Sequence, residues 1–340
     1  MKNVKIAAAA TLLSTVLLLT ACSPPSQTGS GSSNAPANAD KALNVGFFGF
    51  AKSNGFAQGT YRGVEQAAKA NNATATFVDP NFDAQVQVQQ VQDAVTSKQF
   101  DVIVIQANDN QALIAPLTKA VQAGITVVVE FSVIGPDFKT IDPQIPGAIS
   151  IVDLPALNGK VLAEMGVEAC ATVKGDVCKI AYMEGFKSLP LDNVRTDAVK
   201  AGLATNPRIS LVASVEGGYT QDSGRAAFQN IIQANPDVNV VIGSSQAITG
   251  AAAVAGKSAI KFIGNGASVS NVEAVRSGAW FGIYVTDVVA NGIKATELGL
   301  SKARGKKVEV AVNENALAPN GGKGTKAALD KADYKSGYSD

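Results

Sequence analysis

The chain repeatedly sets aromatic rings beside neutral hydrogen-bonding groups at the ends of short apolar runs. Phe50-Ala51-Lys52-Ser53-Asn54-Gly55-Phe56, Glu130-Phe131-Ser132, Glu216-Gly217-Gly218-Tyr219, Ser244-Ser245-Gln246 and Asn265-Gly266 share this character. Such a mixture suits a sugar or polyol, whose C–H faces lie on rings and whose hydroxyls both donate and accept. Each residue alone has a plainer use, because an aromatic packs equally well in a core and Asn or Ser at a strand end forms turns. The collection, more than any member, favours carbohydrate.

Other chemistries are removed by what the sequence lacks. The 340 residues include no histidine, which excludes Ser-His-Asp and Cys-His catalysis and His-ligated zinc. Asp109, Asp153, Glu184 and Asp287 leave open a carboxylate pair of the kind an exported carbohydrate-active enzyme would use. No G-x-G-x-x-G follows the first strand, and no G-x-S-x-G elbow or EF-hand spacing occurs. Gly322-Lys323-Gly324-Thr325 lacks P-loop spacing and reads as a tail loop. With 29 Lys plus Arg against 28 Asp plus Glu, the net charge of +1 gives no field for nucleic acid. Neither a cofactor nor a metal is expected.

The elements that must position these residues follow from hydrophobic periodicity. Val45 to Phe50, Thr74 to Val78, Val102 to Gln106 and Ile125 to Phe131 read as buried parallel strands. Between them, Tyr61-Val64-Ala68, Val88-Val91-Val95 and Leu113-Leu117-Val121 keep helical spacing. After the proline-rich stretch 136–146 come a short strand, Ala148 to Val152, and a helix opened by Pro155 and capped by Asp153. The same alternation then repeats, with strands at Lys179 to Met183, Ile209 to Val215, Val238 to Gly243, Ile260 to Gly264 and Trp280 to Val285. The expected fold is α/β, with two doubly wound parallel-sheet lobes joined by a multi-strand hinge. The expected boundaries are 43–152 plus 287–314 for the first lobe and 153–286 plus 315–340 for the second. In such sheets ligands sit beyond the carboxyl ends of the strands.

The first 21 residues read as a secretory signal, with Lys2 and Lys5 ahead of an apolar run from Ile6 to Leu19. As a helix that run spans roughly 21 Å, short of the roughly 30 Å hydrocarbon core. It ends in Leu19-Thr20-Ala21-Cys22, which resembles a bacterial lipobox with Cys22 as the lipidated residue. Residues 22–42, rich in Ser, Pro, Gly, Asn and Ala, read as a flexible tether. Export would place Cys170 and Cys178 in an oxidising compartment, where a disulfide joining a helix end to the next strand is expected. The alternative is a pair of free buried thiols.

From about Asn44 to Leu300 the chain resembles the periplasmic sugar-binding proteins of the ribose and galactose type, the substrate-binding components of ABC importers. The segments that carry the resemblance are Asn54-Gly55-Phe56 followed by Tyr61-Arg62-Gly63-Val64, Ile125 to Val129, Val152-Asp153 with Gly159-Lys160, and Asn235-Pro236-Asp237-Val238. It implies the type I periplasmic binding protein fold and no catalysis. It further implies a monomer that binds a sugar between its lobes and docks on a membrane permease, with a lipid anchor holding it at the outer side of the cytoplasmic membrane. Carried over by position, it implies sugar contacts from Asn54 and Phe56, stacking by Tyr219, and polar contacts from Ser245, Gln246 and Thr286. Phe50, Glu130, Phe131, Asn193, Asn265 and Asp287 complete the expected ligand set. The sequence departs from the family in having Phe131-Ser132 for a common Asp-Arg pair, Gly264-Asn265-Gly266-Ala267 for Gly-Phe-Asp-Gly, and Asn193 for a ligand arginine. The loss of charged anchors implies a small neutral ligand, a pentose, hexose or sugar alcohol. A lipoprotein that senses the same ligand for a receptor would share this binding chemistry, whereas a sugar-responsive repressor would need a helix-turn-helix where the signal stands.

Overall fold

The computed structural model describes residues 41–256 and 258–339. The expected signal sequence, Cys22 and all but the last two residues of the expected tether lie outside the described residues. The first lobe starts with β1 (Leu43–Phe48), α1 (Gly55–Ala70), β2 (Ala73–Val78) and α2 (Ala84–Ser97). It continues through β3 (Val102–Ile105), α3 (Ile114–Gln122), β4 (Thr126–Phe131) and β5 (Ile149–Val152). The second lobe contains α4 (Pro155–Ala171), β6 (Cys178–Glu184), α5 (Pro190–Leu203), β7 (Ile209–Glu216) and α6 (Gln221–Ala234). Then come β8 (Val240–Ser244), α7 (Ser245–Ala255), β9 (Lys261–Asn265), α8 (Val269–Arg276) and β10 (Gly282–Tyr284). The chain returns to the first lobe with α9 (Val288–Ala303) and β11 (Ala311–Asn313), and ends in the second with β12 (Lys323–Thr325) and α10 (Lys326–Lys331).

The two sheets are near copies of one another. Their orders are β11-β5-β4-β3-β1-β2 and β12-β10-β9-β8-β6-β7. All pairings are parallel except that between β10 and β12. The expected pair of doubly wound α/β lobes is therefore present. In the first sheet Val102, Val104 and Val128 join one apolar cluster, while Ile103, Ile105, Val127 and Val129 join another. A sheet covered on both faces needs this unbroken run of apolar residues, and that is why its strands stand out in the sequence.

Two expectations are corrected. Asp153 does not cap α4; Leu154 takes the N-cap position without a side-chain bond, and Pro155 opens the helix. The Asp153 carboxylate instead accepts from Asn158 and Tyr284. The segment Gly322 to Thr325 is not a loop, because Lys323–Thr325 pairs as an antiparallel edge strand with β10. Edge pairing uses backbone groups, so three residues that follow Gly322 and centre on Gly324 carry little side-chain signal for it.

Helix α9 locks onto α1 by close approach. A Cβ added to Gly63 would lie 2.2 Å from Val289 O, and one added to Gly292 would lie 2.1 Å from Thr60 O. Only glycine allows the two backbones to meet there, which fixes the segment entering α9 against the first lobe. The disulfide Cys170–Cys178 is present, tying the last turn of α4 to the first residue of β6.

Candidate functional site

The chain passes between the lobes three times: after β5, after β10 and after β11. All three leave from the carboxyl ends of strands, β5 and β11 in one sheet and β10 in the other. On one flank, Leu191 and Val194 of α5 pack against the first-lobe cluster that contains Val133, Ile134 and Phe138. In parallel α/β sheets ligands bind beyond the carboxyl ends of the strands, so the two sets of strand ends are the candidate walls of a ligand cleft.

The first-lobe wall is aromatic. The ring of Phe131 lies 5.8 Å from that of Phe50 and 5.1 Å from that of Phe56, both edge to face. Phe131 has φ +70°, an uncommon conformation for a bulky residue. Asn54 stands beside this group as the N-cap of α1, its Oδ1 accepting from Ala57 N at 2.8 Å. Half of its amide thus serves the helix, and its Nδ2 donors remain for other partners.

The second-lobe wall is polar and charged. Asp192 Oδ1 accepts from Arg195 Nη1 and from the Tyr219 hydroxyl, each at 2.5 Å, and Arg195 Nη1 also donates to Tyr219 Oη at 3.0 Å. Asp192 Oδ2 accepts from Phe186 N. Gly185 makes room for this carboxylate, since a Cβ there would fall 2.3 Å from Asp192 Oδ2. Arg195, Tyr219, Ser244 and Asn265, together with the core side chains of Leu162, Tyr182 and Met183, line a cavity of about 10 Å³ within this lobe, room for about one water. Next to it, Asn158 Nδ2 bridges Asp153 Oδ2 and Asn265 Oδ1, at 2.9 and 3.1 Å.

Electrostatics keep this wall close to neutral. Burial lowers the affinity of the Arg195 guanidinium for its proton, but Tyr219, Asp192, Tyr182 and Asp153 together outweigh it and hold the pKa above its ordinary value. Burial raises the Tyr219 phenol, against the pull of Arg195. Burial also raises Asp153, while Arg195, Asn158 and Tyr284 oppose the shift. Arg195 Nε and Asn158 Oδ1 are buried and have no hydrogen-bond partner among the described residues. They leave one buried donor and one buried acceptor unsatisfied at this wall.

Behind the cleft runs a second polar layer. Glu130 is fully buried and accepts from Gln106 Nε2, which also donates to Thr60 Oγ1. Asn291 of α9 donates to Glu314 at 3.0 Å, and Tyr284 bonds both Asp153 and Asn315. Burial pushes the Glu130 carboxyl up to about 7, with Gln106 and Asn291 opposing. Glu314 is raised well above the carboxylate range by burial and by the neighbouring Asp153 and Glu130. This layer draws on all three passages.

Of the residues singled out in the sequence, the structure groups Phe50, Phe56 and Phe131 with Asn54 on one wall. On the other, Tyr219 and Asn265 line the cavity; Ser245, fully buried, and Gln246 begin α7 directly after Ser244. The remaining four lie elsewhere. Glu130 and Thr286 belong to the buried layer behind the cleft, with Thr286 bonded to Glu314. Asp287 is the N-cap of α9, accepting from Ala290 N. Asn193 is exposed and donates to Lys187 O, while its neighbours Asp192 and Arg195 turn inward. Sequence reasoning missed Asp192, Arg195 and Asn158. The signal for the first two was available as an acid and a base three residues apart in the first turns of a helix opened by Pro190. Among the described residues no group of three or more His, Cys, Asp or Glu could hold a metal ion, and no helix is long and apolar enough to cross a membrane.

The chain belongs to the periplasmic binding protein domain family, whose profile matches residues 45–307. Its members are solute-binding proteins rather than enzymes. The chain is 23% identical over 241 residues to the ribose import binding protein RbsB of Bacillus subtilis, a match that covers 70% of this chain and 72% of that one. An ABC transporter periplasmic solute binding protein from Actinobacillus succinogenes with bound D-allose shares its fold at TM-score 0.74 and 18% identity, over 85% of this chain and 99% of that one. A solute binding protein from Mycobacterium smegmatis with bound glycerol gives TM-score 0.71 and 23% identity, over 88% and 100%.

Proposed function

We propose that this protein is an extracytoplasmic solute-binding lipoprotein of an ABC importer, binding a small neutral sugar or sugar alcohol between its lobes. The observation that carries the reading is that each lobe brings suitable groups to its strand ends, the Phe50-Phe56-Phe131 cluster in the first and, in the second, a charge-balanced group in which Arg195 Nε and Asn158 Oδ1 are unpartnered. The rings take the C–H face of the ligand, and Arg195, Asn158, Tyr219 and Asn265 take its hydroxyls. A net anion gains little there, because Arg195 is already matched by Asp192 and faces Asp153. Neutrality thus rests on a paired arginine instead of on the absence of charge that the sequence implied. Glycerol and D-allose, bound by the solved relatives, are neutral polyhydroxylated molecules.

Ligand contacts from both walls stabilise the closed arrangement over the open one, and only this difference in affinity can drive closure. The closed form then docks on a permease, and a lipid on Cys22 holds the protein at the membrane. A thermal-shift panel tests the reading: a neutral pentose, hexose or polyol raises the melting temperature by mass action. Stabilisation by anionic or amphipathic compounds alone would overturn it.

A further inference from the structure

The segment after α10 crosses from one lobe to the other without belonging to either sheet. It is anchored in the second lobe by Tyr334, buried in that lobe's core, whose carbonyl accepts from Arg276 Nη2 at 2.8 Å. Ser336 Oγ accepts from Tyr338 N and donates to Tyr338 O, bending the chain around Gly337. Gly337 then lies against α9, where an added Cβ would stand 2.3 Å from Val289 Cγ2. Tyr338, only 3% exposed, places its ring 5.8 Å from Phe56 and packs over Gly59 of α1. Its polar atoms point back to the second lobe: Oη accepts from Ala267 N at 2.8 Å and the carbonyl from Val269 N at 2.9 Å.

We infer that residues 334–339 form a non-covalent strap across the lobes, with Tyr338 a positioning residue that seats Phe56 on one wall and the Gly266-Ala267 turn on the other. Three observations converge on it. A buried tyrosine spends its apolar face on the first lobe and both of its oxygens on the second. Gly337 is the residue type that lets the chain lie this close to α9. The hydroxyl also reaches the strand end at which an added Cβ on Gly266 would meet Ser245 Oγ at 2.3 Å and Tyr338 Oη at 3.4 Å, so the strap borders the cleft. Opening the lobes on this flank must peel the ring from Phe56 or the oxygens from the α8 entry. The strap therefore favours the closed arrangement before ligand arrives and raises apparent affinity by enlarging the binding-competent fraction. Its role in closure rests on the two-lobed binding reading above, but the contacts it makes do not.

The test uses ligand-free protein, so that its outcome is separate from the identity of the ligand. Gly337→Val pushes the strap off α9 while keeping Tyr338, and Tyr338→Ala removes the bridge. In both, ligand-free small-angle scattering should shift to a larger radius of gyration, and exchange at the Ala267 and Val269 amides should accelerate about tenfold or more. Tyr338→Phe, the mildest change, should lose protection at Ala267 alone, because the Val269 amide bonds the backbone carbonyl. Unchanged scattering and exchange in folded Gly337→Val and Tyr338→Ala would overturn the proposal. If neither variant folds, unchanged Ala267 exchange in Tyr338→Phe would overturn it.

Discussion

Asp192, Arg195 and Tyr219 form the most consequential cluster at the scale of single residues. The Asp192 and Arg195 side chains are 2% and 6% exposed, so neither is solvated if the other is removed. Arg195→Met is expected to cost about 3 to 5 kcal/mol in urea unfolding, because it strands a buried carboxylate. Adding Asp192→Asn should restore part of that loss, a coupling that a double-mutant cycle measures. Glu130 gives a pH signature. Its folded carboxyl titrates near 7 against 4.5 for a free one, so between those values the native state holds more protons than the unfolded state. Its contribution to stability is full below about 4.5 and is lost as pH rises through about 7. Glu314 and Asp153, also raised, act in the same direction. Wild-type stability should thus fall between pH 5 and 7.5, and Glu130→Gln should flatten that slope; an equal slope in the variant would contradict the assignment. At this scale the sequence was only partly legible. Phe50, Phe56 and Phe131 were visible as aromatics near strand ends, but Glu130, inside β4, turns into the buried layer, and on α5 it is Asp192 and Arg195, not Asn193, that face inward; which side of an element turns inward is set by its packing.

Elements were far easier to read, for a physical reason. Strands buried on both faces must be apolar throughout, and the helices that cover them must keep a stripe at helical spacing. Both patterns are local. What escaped was set by non-local contact: Asp153 is drawn from the α4 cap to Tyr284, far along the chain, and β12 exists only because β10 offers it an edge. The disulfide was legible because its two cysteines bracket a single turn. It joins α4 to β6 across a short loop, so Cys170→Ala with Cys178→Ala should lower stability by about 2 to 3 kcal/mol in the chain-entropy model. Chemical denaturation with and without reductant measures this, and no difference would mean that the bridge is energetically idle.

For the whole molecule, the alternation of elements repeated twice reads directly as two lobes, and the returning helix α9 is sealed to α1 by Gly63 and Gly292. A cleft between lobes was expected from the repeated crossings, but the make-up of its candidate walls was not legible in the same way, because they join residues as far apart as Asn158 and Asn265. The proposed function requires one ligand to be gripped from both walls at once. Calorimetric titration of the best neutral sugar or polyol into wild type, Phe56→Ala and Tyr219→Ala measures that directly. Each single substitution should weaken binding about tenfold or more, since Phe56→Ala removes a ring contact from one lobe and Tyr219→Ala a hydroxyl contact from the other. Wild-type affinity retained in either variant, with the fold intact, would contradict a shared grip.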